Sequence, residues 1–217
     1  MTQQSPIDID PHAVREIIMD HYAGHIDLTL GSGPGQFEHG YTNFKVKWTG
    51  DDNTVLKLRD GREYRPIQFH FHAPSEHTLQ GHHFPFCMHL VHQSNDGHLA
   101  VVGVFFEIGD ESEFLNQFWN VLPELDPQGV DVAVDKISFD SLYLASVVTD
   151  EAFYRYQGSL TTPPYTEGVE WILVKDPRTM SAAQLQHFID ILPGDSNARD
   201  LQPLEDAADR LLFCCVA

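Results

Sequence analysis

Eight of the chain's 13 histidines lie between His70 and His98. In Gln68-Phe69-His70-Phe71-His72 polar and apolar residues alternate as in a half-buried strand. Gln68, His70 and His72 then share one face, and Ile67, Phe69 and Phe71 the other. Imidazoles two residues apart on a strand have Cα atoms about 6.6 Å apart, so both rings can reach one ion at about 2.0 to 2.1 Å. In the next β-rich segment, Phe86 to His92, the residues Cys87, His89 and Val91 share a face, and an antiparallel neighbour would bring His89 beside the pair. Three neutral imidazoles without a fourth protein ligand describe a catalytic zinc site, its last position left for water or substrate, whereas a structural zinc is closed. His77, His82, His83, His92 and His98 do not fit that face and read as solvated or hydrogen-bonded side chains.

Such ligands need strands to aim them. Period-two or continuous β-rich segments recur at Phe44 to Trp48, Thr54 to Leu58, Ile67 to His72, Phe86 to His92, Leu99 to Ile108 and Val169 to Val174. Two helices are predicted. One starts at Asp110, with Glu113 completing a capping box ahead of Phe114, Leu115, Phe118 and Leu122; the other starts at Ser181 with Gln184, ahead of Leu185, Phe188 and Ile189. Pro123 and Pro193 stop them. Gly31-Ser32-Gly33-Pro34-Gly35, Gly50-Asp51-Asp52 and Asp126-Pro127-Gln128-Gly129 read as turn punctuation, and no repeat or linker divides the chain. The expectation is a single domain over residues 1–217, mainly β (α+β), with helices packed on a large sheet.

A chain of 217 residues can bury about 70% of its unfolded surface. Thirteen basic against 32 acidic residues give a net charge of −19, which repels phosphate backbones and anionic membranes, so no nucleic-acid partner is expected. The longest near-apolar run, Leu99 to Phe106, is far short of the ~20 residues of a membrane helix. Met1 to Asp8 lacks the regions of a signal peptide, which reads as cytoplasmic, or as periplasmic or secreted if the native chain begins upstream. Three cysteines, two of them the adjacent Cys214 and Cys215, suggest no disulfide framework. The terminal Cys214-Cys215-Val216-Ala217 has the form of a prenylation box, but no basic cluster precedes it.

With these residues in view, the chain resembles the α-class carbonic anhydrases. The resemblance rests on Gln68 to His72, Ser75-Glu76-His77-Thr78, His89-Leu90-Val91-His92, and Gly158 to Pro164 with Glu167, Val169 and Trp171. Gln4-Ser5-Pro6-Ile7-Asp8, Asn197-Ala198-Arg199 and Gln202-Pro203 extend it to nearly the whole chain. It implies one domain around a mostly antiparallel, twisted ten-stranded sheet with a few peripheral helices. It also implies Zn2+ on His70, His72 and His89, and reversible hydration of carbon dioxide to bicarbonate and a proton by zinc-bound hydroxide, the standard example of water activated by zinc. Thr161 would be the gatekeeper, donating its hydroxyl to Glu76 and offering its backbone N–H to a substrate oxygen. Gln68, Cys87 and Asn197 would stand behind the ligands, and Val91, Val101, Leu160, Thr162, Val169 and Trp171 would line the carbon dioxide pocket. Sulfonamides and anions are the expected inhibitors.

Three departures from that family pattern stand out. Cys87 replaces the glutamate that would accept from the His89 ring, and a thiol is the weaker acceptor, so zinc should be held less tightly by about 10- to 100-fold. The proton-shuttle position falls on Tyr41 or Thr42 in His39-Gly40-Tyr41-Thr42-Asn43-Phe44, so the candidate shuttles are His39, whose ordinary pKa suits the task, and Tyr41, whose pKa near ~10 does not. The family's usual N-terminal segment is missing, as is a cysteine staple found there in exported members, whose partner position holds Tyr165.

Two other readings use the same residues. His70-x-His72-x-x-x-Glu76 with His89 also has the spacing of a cupin-type metal dioxygenase, in which Glu76 would ligate, although Cys87 stands where that family needs glycine. A carbonic-anhydrase-related binding protein would keep the fold but typically lacks one of the zinc histidines.

Overall fold

The computed structural model describes residues 3–12, 15–18, 26–38, 44–50, 54–58, 61–124, 131–144, 153–203 and 213–216, with backbone alone for 15–18 and 213–216. Its first strands are β1 (Asp8–Ile9), β2 (Arg15–Ile18), β3 (Asp27–Thr29), β4 (Ser32–Glu38), β5 (Lys45–Trp48) and β6 (Val55–Lys57). The middle of the chain forms β7 (Glu63–His72), β8 (Thr78–Leu79), β9 (His82–His83), β10 (Phe86–Ser94) and β11 (Leu99–Ile108). The remainder are β12 (Val132–Ser138), β13 (Phe153–Ser159), β14 (Glu167–Val174), β15 (Arg178–Met180) and β16 (Phe213–Val216).

Ten of these strands form one sheet path in the order β12-β4-β5-β7-β10-β11-β14-β13-β16-β2, with β3, β6 and β15 attached at its sides. Pairing is antiparallel throughout this sheet except at β11–β14, β11–β15 and β16–β2. The large, mostly antiparallel sheet expected from the sequence is therefore what the chain forms. β11, with its run Ala100-Val101-Val102-Gly103-Val104-Phe105-Phe106, is buried on both faces at the sheet's centre, which explains its continuous rather than alternating apolar pattern.

Alternation on β7 and β10 divides the interior in two. Phe69, Phe71, Met88 and Leu90 join the larger core with Phe114, Phe118, Trp119 and Phe188, while Cys87 and Val91 face a second cluster with Val101, Phe105, Val169 and Trp171. Ile67 breaks the expected pattern. A bulge lets the register step from Val91↔Gln68 to His92↔Pro66, so Ile67 has no partner on β10 and sits 39% exposed instead of in the core.

The second helix forms as the sequence predicts, over Ala182–Ile191, with Ser181 and Gln184 closing a reciprocal capping box and Pro193 beyond its end. The first differs. Its cap is Ser112 rather than Asp110, it spans only Glu113–Asn116, and Pro123 lies inside a following 3-10 helix, Trp119–Glu124. The reason is tertiary: buried Gln184 Oε1 accepts the Ser112 N–H at 2.9 Å and its amide donates to Ser112 O at 3.1 Å, fixing where that turn begins. The Gly-Ser-Gly-Pro-Gly punctuation is likewise corrected, because most of it is β4. A Cβ on Gly35 would stand 2.7 Å from Ile137 Cδ1 and 2.8 Å from Val46 Cγ1, so a missing side chain is what lets this strand pack.

Candidate metal centre

Antiparallel pairing of β7 with β10 sets His89 opposite His70 and Cys87 opposite His72. His70, His72 and His89 are all buried, and one ring nitrogen of each lies within 4.8 Å of the others. Each ring has one nitrogen engaged. His70 Nδ1–H donates to Gln68 Oε1 at 2.8 Å, His72 Nδ1–H donates to Asn197 O at 3.0 Å, and His89 Nε2 faces Cys87 Sγ at 3.7 Å. The opposite nitrogens, His70 Nε2, His72 Nε2 and His89 Nδ1, are buried without a hydrogen-bond partner. Orphaned buried acceptors are costly, and three converging on one point are the donor set that a tetrahedral zinc with an open position requires. Burial first, then the neighbouring His72, pushes His70 and His89 well below the ordinary histidine pKa and keeps them neutral, the form that ligates.

The residues behind the ligands divide by chemistry. Asn197 accepts from His72 through its carbonyl, and its side chain accepts the Ala73 N–H at 3.0 Å and donates to Phe71 O at 2.9 Å. Burial, reinforced by the Glu76 charge, raises the Cys87 thiol, so His89 meets a neutral sulfur. Glu76 is 1% exposed; its Oε1 accepts the Arg199 N–H at 3.0 Å and lies 3.5 Å from His72 Nδ1, while its Oε2 makes no hydrogen bond and lies 3.6 Å from His89 Nδ1. The expected bond from the Thr161 hydroxyl to that carboxylate is not made at Oε2 in this geometry. Nor does Glu76 belong to the metal-holding group, so the cupin-type ligand set is not assembled.

A cavity of about 140 Å³ opens onto His70 and His89. Gln68, Val91, Val101, Leu160, Thr161, Thr162 and Trp171 line it. Val169 does not; it is fully buried in the cluster behind. Ile67 and Leu99 line it unforeseen, Ile67 because the bulge turns it outward. The other histidines divide as follows. His77 is buried and its Nε2 pairs with Tyr156 OH at 2.6 Å, His83 Nδ1 bonds Ser75 O at 2.6 Å, His92 is buried with Nδ1 on Leu90 O at 3.0 Å, and His82 and His98 reach solvent. His39 and Tyr41 lie outside the described residues. No helix among the described residues is long and apolar enough to cross a membrane.

Comparison with known proteins agrees with this geometry. The family profile described as eukaryotic-type carbonic anhydrase matches residues 1–208. A carbonic anhydrase of Klebsiella pneumoniae is 38% identical over 203 residues, 93% of this chain and 76% of that one. The α-carbonic anhydrase of Thermovibrio ammonificans, solved with the inhibitor sulfanilamide, superposes with a TM-score of 0.83 at 36% identity, covering 97% of this chain and 86% of its own. Dioscorin, solved with ascorbate, superposes at 0.84 with 27% identity, covering 98% and 85%. Strand order, buried histidine triad and these likenesses lead to one conclusion: the chain belongs to the α-class, eukaryotic-type carbonic anhydrase family of enzymes, whose general reaction is the hydration of carbon dioxide.

Proposed function

We propose that this enzyme hydrates carbon dioxide reversibly with Zn2+ held by His70 Nε2, His72 Nε2 and His89 Nδ1. The observation that carries the reading is the set of three converging ring nitrogens that make no hydrogen bond, each on a ring whose other nitrogen is already engaged. Zinc, when bound, supplies a Lewis acid that makes water a nucleophile at neutral pH. Gln68 and Asn197 hold two of the rings in the ligating tautomer.

Thr161 orients the attack. In this reading a small rotation brings its hydroxyl onto Glu76 Oε2, which makes no hydrogen bond in the structure, and a hydroxyl that donates there can then only accept from the nucleophile. Its backbone N–H receives a substrate oxygen. Val91, Val101, Leu160 and Trp171 present an apolar wall that takes carbon dioxide without competing for its oxygens. One proton leaves for solvent per bicarbonate formed, and His39 is the proposed carrier, ahead of Tyr41. Sulfonamides and small anions should compete at the same cavity.

Stopped-flow measurement of carbon dioxide hydration by the zinc-loaded protein, with and without sulfanilamide, tests the reading. Hydration abolished by sulfanilamide, and loss of the metal in His72→Ala, are expected. A protein that holds one zinc and yet does not hydrate carbon dioxide would be a binding member of the fold instead.

A further inference from the structure

Arg199 makes polar or ring contacts on three sides. Its backbone N–H donates to Glu76 Oε1 at 3.0 Å. Its guanidinium Nη1 donates to Gln4 Oε1 at 3.0 Å and Ser5 O at 2.6 Å. Its guanidinium carbon lies 3.8 Å from the centre of the Tyr165 ring, well within cation–π range. Gln4 extends this anchor by donating to Tyr165 O at 3.2 Å and Glu167 Oε1 at 2.9 Å.

These contacts join parts of the site that the sheet leaves separate. Tyr165 closes the turn that follows Leu160, donating its N–H to Thr162 O at 2.9 Å, and it does so with φ at +59°, a conformation a non-glycine residue holds only when its surroundings impose it. That turn carries Thr161. On the other side, the short run Asn197–Arg199 touches His72 through Asn197 O and Glu76 through Arg199 N–H. A guanidinium can meet two acceptors in its plane and an aromatic ring on its face at once, which a lysine ammonium cannot do.

We propose that Arg199 is a positioning residue, a latch that holds the Glu76 carboxylate and the turn carrying Thr161 in one fixed relation. The proposal rests on the functional reading above and adds a residue to it. Arg199 acts entirely through others: freeing its side chain lets Asn197–Arg199 and the Thr162–Tyr165 turn move independently, and displacements on the scale of 1 Å at a reacting centre cost rate out of proportion to their size.

The test uses the full zinc-loaded chain with Arg199→Ala, Arg199→Lys and the milder Tyr165→Leu. Per bound zinc, kcat/KM for carbon dioxide is expected to fall about 10-fold in Arg199→Ala, with partial recovery in Arg199→Lys. The fall in kcat should be smaller, because kcat also contains proton export. Zinc loss to excess chelator should quicken by up to about 10-fold, reporting the loosened carbonyl behind His72. If Arg199→Ala does not fold, Arg199→Lys and Tyr165→Leu read the same quantities. Variants that melt earlier but keep the wild-type kcat/KM and zinc-loss rate, or that lose kcat and kcat/KM in equal proportion, would make Arg199 a mere fastener of the N-terminal segment and overturn the proposal. A wild-type protein that fails to hydrate carbon dioxide would instead overturn the proposed function.

Discussion

His92 offers a clean reading of what the sheet costs at low pH. It is 0% exposed, its Nδ1–H donates to Leu90 O at 3.0 Å, and its Nε2 is unpartnered. Burial, partly offset by the neighbouring backbone carbonyls, lowers its pKa from the usual 6.5 to about 4. The folded protein thus resists a proton that the unfolded chain accepts freely. Stability from this group is complete above the unfolded value and drains away as pH falls from there toward the folded value. Over the whole range the loss amounts to about 3 kcal/mol, of which about 2 kcal/mol falls between pH 7 and pH 5. His77, lowered to about 3 by burial first and His72 second, behaves the same way but is present in wild type and variant alike and cancels. Urea unfolding of the metal-free protein and of His92→Gln, at both pH values, isolates the effect. The wild type should lose about 2 kcal/mol more than the variant on acidification. Equal losses in the two proteins would show that His92 is protonated in the folded state and that the argument from its burial is wrong.

Other outcomes follow from the site and its supports. Cys87→Glu, which gives the His89 Nε2–H a carboxylate in place of a sulfur 3.7 Å away, should slow zinc loss to a chelator by at least about 10-fold; no change would mean that sulfur already serves His89 adequately. Thr161→Val, which removes the hydroxyl but keeps the volume, should lower kcat/KM about 100-fold while Thr161→Ser stays within a few-fold, and equal activity in both would exclude an orienting hydroxyl. Gly158→Ala would set a Cβ 2.1 Å from Ser5 Oγ, which bridges Tyr156 OH at 2.8 Å and the Ser159 N–H at 3.0 Å. Its expected cost is about 2–4 kcal/mol, a fall in Tm of about 4–16 °C by calorimetry, and an unchanged Tm would show that the Ser5 segment yields without penalty.

The three-histidine cluster was legible because a strand's period of two is rigid. Once Phe69 and Phe71 are assigned to a core, His70 and His72 must face away from it, and the same reasoning applied to Phe86 to His92 selects His89. Family likeness was needed for Glu76 and Thr161, whose meaning lies in residues far away in the chain. Features set by a single tertiary contact were illegible. Glycines in β4 look like turns until Ile137 and Val46 are seen against Gly35; Ser112 displaces Asp110 as a helix cap only because Gln184 reaches it from another helix. One inserted residue turned Ile67 from core to cavity mouth, and no periodicity argument registers a bulge.

The alternation of β7 and β10 also acts as a proofreading device during folding. A slip of β7 by one residue would drive His70 and His72 into the aromatic core and take Phe69 and Phe71 out of it, and a slip of β10 would do the same with His89 against Met88 and Leu90. A misregistered strand therefore forfeits apolar burial at the same moment that it breaks up the histidine cluster. Apolar burial alone thus enforces the pairing that brings the three histidines together.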